Sequence, residues 1–557
     1  MARTLRSNLE PGTPLWAARR AQWKVLGIPP EELEKPKIAV VNSSSELASC
    51  FSHLDGIAAE VKVAIRAAGG LPFEVRTAAS SDFITSAARR GAYILPTRDL
   101  IVNDIEVQVE GALLDGMVCL ASCDKTVPGQ LMAAGRLNIP TIVVICGYQA
   151  SGQYRGEHVD IEELFLKASN VASGGMSLEE LSEMADNSVL SPGVCAGMGT
   201  ANSMHIVTEA LGMALPGSAP VLANSPKMLE LARRSGERIV QMVWDDLKPR
   251  DILTAEAIAN AAMVVLSLSG SINCVKHLQA IAAEAECDLD VYGLFQKYAD
   301  EIPLLAAVRP SGERLIEELE AAGGARALMK QLQRFLNLGA RTVTGQTMGE
   351  ILRDVTVADE EVIRPVERAL STRPSIVIMR GSLLPGGGIV RVGGTDARTM
   401  RFKGPASIFH SREEAIEAVK QGKIKPGDVV VIRGAGVRGG PGMALMSAAV
   451  FALDQAGLLD HVAVILEGQV SGLVNRGLVV AEASPEAVEG GPLALVENGD
   501  QISIDVAQRE VNLDVPETEL ERRRQRPPQQ FGATGERGWL SIYQRTVQPV
   551  HKGAVLT

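Results

Sequence analysis

Three cysteines lie in loops that run into predicted helices: Cys50 in NSSSELASCFSHLDG, Cys123 in ASCDKTVPG and Cys195 in SPGVCAGMGTANSM. A helix amino terminus stabilises negative charge, so cysteines there lean towards the thiolate, the form that ligates metals. In an α/β sheet the loops at the carboxyl ends of strands share one crevice, where three distant thiols could meet around a metal centre. The structural alternative is that free cysteine is among the most buried residue types, and this wide spacing matches no short zinc motif. Cys119, Cys146, Cys274 and Cys287 sit in apolar runs and are expected in the core.

Asp124 and Lys125 follow Cys123 directly, and Asp82 follows Ser80 and Ser81 in another loop. Carboxylates at strand ends suit a hard cation such as Mg²⁺, which takes a few oxygen ligands and leaves the rest to substrate or water. A lysine in such a pocket is expected to have its pKa lowered by desolvation, which would let it act as a base or be carbamylated. The simpler alternative is an ion pair between Lys125 and one of the aspartates. Further along, Gly434, Gly436 and Gly439 form a G-x-G-x-x-G between a predicted strand and a helix, with Glu467 closing the next strand. That pattern admits a dinucleotide site, although Gly440, Pro441 and Gly442 disturb the helical turn on which a pyrophosphate would rest. Ser471, in Val470-Ser471-Gly472, is a candidate nucleophile or base, or an ordinary turn serine. His53, His205 and His277 lie on predicted helices, where packing or capping is the expected role.

The elements that would position these residues alternate from about Pro36 onward. Lys37–Val41, Gly116–Leu120 and Thr141–Cys146 read as strands, and His53–Ala68 and Pro128–Arg136 as helices, which makes a βαβ arrangement with a parallel sheet. Between Val355 and Ser375 the pattern dissolves into charged residues with Pro365 and Pro374, a linker. Beyond it, Ser375–Met379, Asp428–Ile432, His461–Leu466 and Gln501–Val506 are short apolar runs between glycine-rich turns, which predicts a smaller β-rich domain. The charged stretch from Glu517 to Gln530 is expected to be a surface excursion before Gly538–Thr557 returns to the body.

Composition narrows the field. The 557 residues, 46% hydrophobic and 22% charged with 54 glycines, fit a glycine-rich α/β protein of more than one domain. With 55 Lys and Arg against 66 Asp and Glu, the net charge is -11, and there is no basic block to neutralise a run of phosphates. Nucleic acid is not an expected ligand, and no apolar stretch reaches the roughly 18 residues of a membrane helix. Met1 to Glu10 is polar, so a cytoplasmic protein is expected. Seven cysteines, an odd number, argue against a disulfide framework.

Several ordered segments together resemble the dihydroxy-acid dehydratase family, which also contains phosphogluconate and sugar-acid dehydratases. They are VNSSSELASCFSHL, LPTRDLI, LDGMVCLASCDKTVPGQLMAAGRLNIPTIVV, GVCAGMGTANSMHIVTEALGMALPG, SGSINCVKHL, RGGPGMALM and EGQVSGLVNRGLVVAEASPEAVEGGPLALVENGD. The resemblance implies an α/β protein: an N-terminal parallel-sheet domain over 1–370 carrying the metal centres, and a smaller β-barrel-like domain over 375–557 carrying the candidate serine. It implies an iron–sulfur cluster, [2Fe-2S], on Cys50, Cys123 and Cys195 with one iron open to substrate. It further implies Mg²⁺ on Asp82, Asp124 and a carbamylated Lys125, with Ser471 as an alkoxide base. The implied reaction is loss of the C3 hydroxyl from a 2,3-dihydroxy acid to give a 2-keto acid, in a homodimer or homotetramer.

The chain departs from the family pattern at three places. Two positions after the PGM tripeptide the family has an acidic Mg²⁺ ligand, and here PGMALM puts Leu445 there; Glu467-Gly468-Gln469 replaces Asp-Gly-Arg, and Ser44 replaces an aromatic residue. Substrate cues divide. CDKTVPGQLMAAGRLNIP and GWLSIYQRTVQPVHKGAVL are similar to branched-chain enzymes, whereas MVWDDLKPRDILT, DEIPLLAAVRPSGE and VIRGAG are similar to the sugar-acid group. The expectation is a branched-chain dihydroxy-acid dehydratase first, a sugar-acid dehydratase second, and a specialised or inactive homologue third.

Overall fold

The computed structural model describes residues 4–88, 91–172, 174–392, 400–443, 445–470, 472, 474–527 and 529–556. The apolar run after Pro36 forms strand β1 (Lys37–Asn42), which is buried along its whole length. With β2 (Leu71–Arg76), β3 (Gly116–Ala121) and β4 (Thr141–Ile145) it makes a parallel sheet in the order β2-β1-β3-β4. Strands buried on both faces need helices on both, and parallel neighbours need crossover connections. The helices Leu54–Ala67, Ile94–Val109 and Thr126–Leu137 are those connections, and Asn138, left-handed at φ 48°, ends the third. A short hairpin, β5 (Gly152–Tyr154) and β6 (Glu157–Val159), follows.

The C-terminal region is the expected barrel-like sheet, but it contains more helix than its valine-rich runs announce. Its strands are β7 (Ile376–Met379), β8 (Gly387–Arg391), β9 (Arg401–Phe409), β10 (Val429–Ile432), β11 (Ala463–Leu466), β12 (Leu478–Ser484), β13 (Gln501–Asp505) and β14 (Glu510–Leu513). They pair in the order β14-β13-β9-β10-β11-β12-β8-β7. Strands β9 to β12 run parallel, so the helices Arg412–Lys420 and Ser447–Gln455 cross between them. A bridge between Arg380 and Glu510 joins the two edges and nearly closes the sheet.

Strand periodicity divides this sheet between two cores. Val430, Ile432, Val464, Leu466, Val479 and Ala481 belong to the core that also contains the N-terminal sheet, while Val429, Val431, Ala463, Ile465 and Val480 pack in the second core within the barrel. One face of the barrel is therefore the surface on which the two regions meet. The last segment returns as expected: Tyr543, Val547 and Ala554 are buried against Leu95, Val437 and Met443.

Candidate active site

Side chains fix each cysteine loop through its carbonyl. Ser122 Oγ donates to the Cys50 carbonyl, Thr126 Oγ1 to that of Cys123 at 3.0 Å, and Asn202 Nδ2 to that of Cys195 at 2.8 Å. His205 Nε2 pairs with the Ser122 carbonyl at 2.8 Å, and His53 Nε2 with that of Cys146 at 2.8 Å. These histidines are the packed, loop-holding groups expected, and burial lowers the pKa of His205 to about 4. Each of the three loops feeds a helix, at Leu54, Thr126 and Thr200.

Cys123, Cys195, Asp82 and Asp124 line one cavity, together with Glu162, Thr200, Leu445, Ser447 and Gly472. Cys50 completes the group by its hydrogen bond with Cys123. Cys119, Cys146 and Cys274 are buried in the core as expected, whereas Cys287 is half-buried. Ser471 lies outside the described residues. Its neighbour Gly472 faces the cavity, where a Cβ would come within 3.1 Å of Gly199 Cα, and its carbonyl accepts from Arg391 Nη1.

The electrostatics correct two expectations. Two of the thiols are not tilted towards thiolate: the hydrogen bond to Cys50 and burial push Cys123 well up, and burial with nearby Glu162 does the same for Cys195. A helix terminus carries only about half a charge, which does not offset burial among carboxylates. Lys125 is not a lowered-pKa lysine either. Burial opposes its charge, but Asp82, Asp124 and Cys123 outweigh it and hold the ammonium above its ordinary range. Its Nζ lies 3.3 Å from Asp82 Oδ2 and 3.9 Å from Asp124 Oδ2, the ion pair that was the simpler reading. Burial and Asp82 raise Asp124 to about 7.

The donor set fits both metal groups that the resemblance implies. Asp82 Oδ1 is buried and accepts no hydrogen bond among the described residues, an acceptor that a cation would satisfy. The buried thiols belong to the soft-ligand class that suits iron–sulfur clusters. Among the described residues no three His, Cys, Asp or Glu side chains crowd around one point as a single-ion site would. They wall a shared space instead.

Glu162 was missed by sequence reading. It caps nothing with its side chain; it lies in the first turn of the Ile161–Lys167 helix, 9% exposed, and its carboxylate has no hydrogen-bond or ion-pair partner among the described residues. A Cβ on Gly197 would fall 1.9 Å from Glu162 Oε2, so the glycine leaves the room the carboxylate occupies. Burial, then Asp160 and Asp124, raise it to about 8. The only signal in the sequence was an acidic residue following Asp160, which reads as an ordinary helix start.

The glycine-rich turn is not a nucleotide site. Gly434 N and Ala435 N donate to Glu467 Oε2 at 2.6 and 3.2 Å, and Arg438 N and Gly439 N donate to Glu486 at 2.9 and 2.8 Å. The backbone donors a pyrophosphate would need already serve the chain's own carboxylates.

Comparison with known proteins identifies the family. Residues 35–351 match the family described as dihydroxy-acid/6-phosphogluconate dehydratase N-terminal, and residues 361–554 match its C-terminal counterpart. A dihydroxy-acid dehydratase of Methanococcoides burtonii is 41% identical over 97% of this chain and 98% of its own length. Dihydroxy-acid dehydratases of Caldicellulosiruptor bescii and Pyrococcus furiosus are 40% and 41% identical, each over 97% of this chain and 98% of their own length. These matches make the chain a hydro-lyase of the dehydratase class. The chain belongs to the dihydroxy-acid/6-phosphogluconate dehydratase family.

Proposed function

We propose that this chain converts a 2,3-dihydroxy acid of the branched-chain type to the 2-keto acid, at a centre built from Cys50, Cys123, Cys195, Asp82, Asp124 and Lys125 with Ser471 as base. The observation that carries the reading is the single cavity shared by Cys123, Cys195, Asp82, Asp124 and Gly472, the residue after Ser471. When bound, a [2Fe-2S] cluster on the thiols and Mg²⁺ on the carboxylates supply Lewis acidity for the departing hydroxyl and for the substrate's carboxylate and C2 oxygen.

The chain's own groups supply the remainder. Asp82 and Asp124 hold positive charge at the floor of the cavity, and Lys125, already paired with both, keeps them there or, once carbamylated, joins them as a further oxygen donor. Ser471, as its alkoxide, takes the C2 proton as the C3–O bond breaks and hydroxide leaves, and the resulting enol tautomerises to the keto acid. Burial around the floor excludes water, which strengthens each of these charge interactions. The enzyme is read as a cytoplasmic homodimer or homotetramer with a small hydroxy acid as its partner. Among the described residues no helix is long and apolar enough to cross a membrane.

One observation favours the sugar-acid alternative: the Glu162 carboxylate lines the cavity with no hydrogen-bond partner among the described residues and offers one to a further hydroxyl. Leu445 lines the same cavity where the family has a carboxylate, which supports the specialised or inactive reading. Anaerobic reconstitution with iron and sulfide, followed by 2-keto acid assays with and without Mg²⁺, separates the three. Turnover of 2,3-dihydroxyisovalerate is expected. Turnover of aldonates alone would replace it with the sugar-acid reading, and a stable cluster without turnover would favour an inactive homologue.

A further inference from the structure

A second cavity, of about 1060 Å³, lies between the barrel and the charged stretch from Glu517 to Gln530, and it shares no lining residue with the catalytic one. Its size suits a small-molecule ligand. Arg433, the residue after β10, forms its base and is 4% exposed. Nη1 of Arg433 donates to the Leu493 and Val496 carbonyls at 2.6 and 3.0 Å, while Nε is buried without a hydrogen-bond partner among the described residues. The guanidinium stands over the Phe531 ring, 4.9 Å from its centroid, and the His410 ring lies 6.2 Å from Phe531. A ring face holds a guanidinium by its plane and leaves the N–H edge for an acceptor.

Charge on this wall is one-sided. Arg523, Arg524 and Arg526 join Arg433 there, against Glu497 as the single acidic residue of the described lining, in a chain whose net charge is -11. The other arginines have carboxylates of their own: Arg523 pairs with Asp500 at 2.5 Å, Arg524 with Glu517 at 2.6 Å and Arg526 with Glu497. Arg433 has none among the described residues; Glu467 and Glu497 act on it without a hydrogen bond, and Glu467 is already committed to Gly434 N and Ala487 N. A buried guanidinium without a carboxylate is costly, and an anion in the cavity would complete it. Ile408, Val488 and Leu495 supply carbon beside the arginines.

We propose that this cavity is a binding site, separate from the catalytic one, for a small organic phosphate, with the phosphate on the Arg433 guanidinium, Arg526 at the mouth and the carbon body against Phe531 and Leu495. A phosphate monoester carries close to two charges and three acceptor oxygens, so it can answer more than one guanidinium at once; a carboxylate carries one charge. The carbon body leaves water for the apolar part of the wall and gains the hydrophobic term. The backbone donors of the adjacent glycine-rich turn are taken by Glu467 and Glu486, so the arginine side chains carry the recognition.

The test separates the charged head from the carbon body. The full chain, reconstituted anaerobically, is titrated calorimetrically with phenyl phosphate, with inorganic phosphate as the head alone and with benzoate as the singly charged counterpart. Phenyl phosphate is expected to bind once per chain, about tenfold or more tighter than benzoate and several-fold tighter than inorganic phosphate, on the order of one charge-assisted hydrogen bond and one buried ring. Arg433→Gln keeps a donor for the Leu493 and Val496 carbonyls and removes the charge, and it is expected to weaken phenyl phosphate about tenfold or more. Arg526→Ala is expected to weaken it about threefold. Arg526 is exposed, so its truncation leaves the core intact and decides the matter where Arg433→Gln does not fold. No binding, as when a partner subunit fills the cavity, would overturn the site, and so would binding that both variants leave unchanged, because it would lie elsewhere on the chain. Benzoate as tight as phenyl phosphate would overturn the phosphate preference, and inorganic phosphate as tight would overturn the organic ligand.

Discussion

At the scale of single residues, the charge state of a buried group is set by the other charges packed beside it. Cys123, Cys195, Asp82 and Asp124 were named from loop position alone and line one cavity. The thiol and lysine pKa directions were misread because they depend on how many carboxylates are buried nearby, which only the folded chain reveals. Glu486 shows the same dependence outside the cavity. It receives backbone hydrogen bonds from Arg438 and Gly439, yet burial and neighbouring Glu467 raise it to about 8 from an ordinary 4.5. A folded-state pKa above the unfolded one means that the group's contribution is complete below pH 4.5 and is lost as pH rises through about 8. Glu486→Gln cannot titrate, so its melting temperature is expected to fall less steeply than the parent's between about pH 5 and 9. Thermal melts across that interval check this, and parallel slopes would refute it.

At the scale of elements, the N-terminal strands were legible because both faces are buried, which gives unbroken apolar runs such as Ile38–Val41. The helix Arg412–Lys420 was not, since only Ala415 and Ala418 of its residues are buried and a mostly charged surface helix resembles a loop in composition. Long-range ties between elements leave no local pattern at all. Lys276, on the Asn273–Glu284 helix, pairs with Glu482 on β12, and both side chains are wholly buried. Lys276→Met leaves an uncompensated buried carboxylate and is expected to cost about 3–5 kcal/mol of stability. Lys276→Met combined with Glu482→Leu removes both charges and should recover most of that loss, measured as the urea midpoint. If the double variant is as unstable as the single one, the pair's contribution lies in something other than charge compensation.

At the scale of the whole molecule, the stretch from Val355 to Ser375 reads as a linker in sequence, and the packing joins the regions on either side of it. One continuous apolar core runs from Leu5 to Val555 and includes β1, β3 and β4 of the first sheet with alternate residues of β10, β11 and β12 of the second. Arg391 on β8 donates to the Ser269 carbonyl, to Ser311 Oγ and to the Gly472 carbonyl, so one buried guanidinium ties the barrel to the N-terminal region and to the residue beside Ser471. The C-terminal segment adds a further tie, from Arg98 Nη2 to the Ala554 carbonyl at 2.7 Å. Separating the regions would expose the shared core face and strand these donors and acceptors. Scanning calorimetry of the full chain is therefore expected to show one cooperative transition, with calorimetric and van't Hoff enthalpies in agreement. Arg391→Ala should lower its midpoint and reduce kcat together, because the same side chain holds both the domain contact and the turn at the cavity. Two resolved transitions in the parent protein would mean that the barrel's own core, from Val377 to Phe531, suffices to fold it alone.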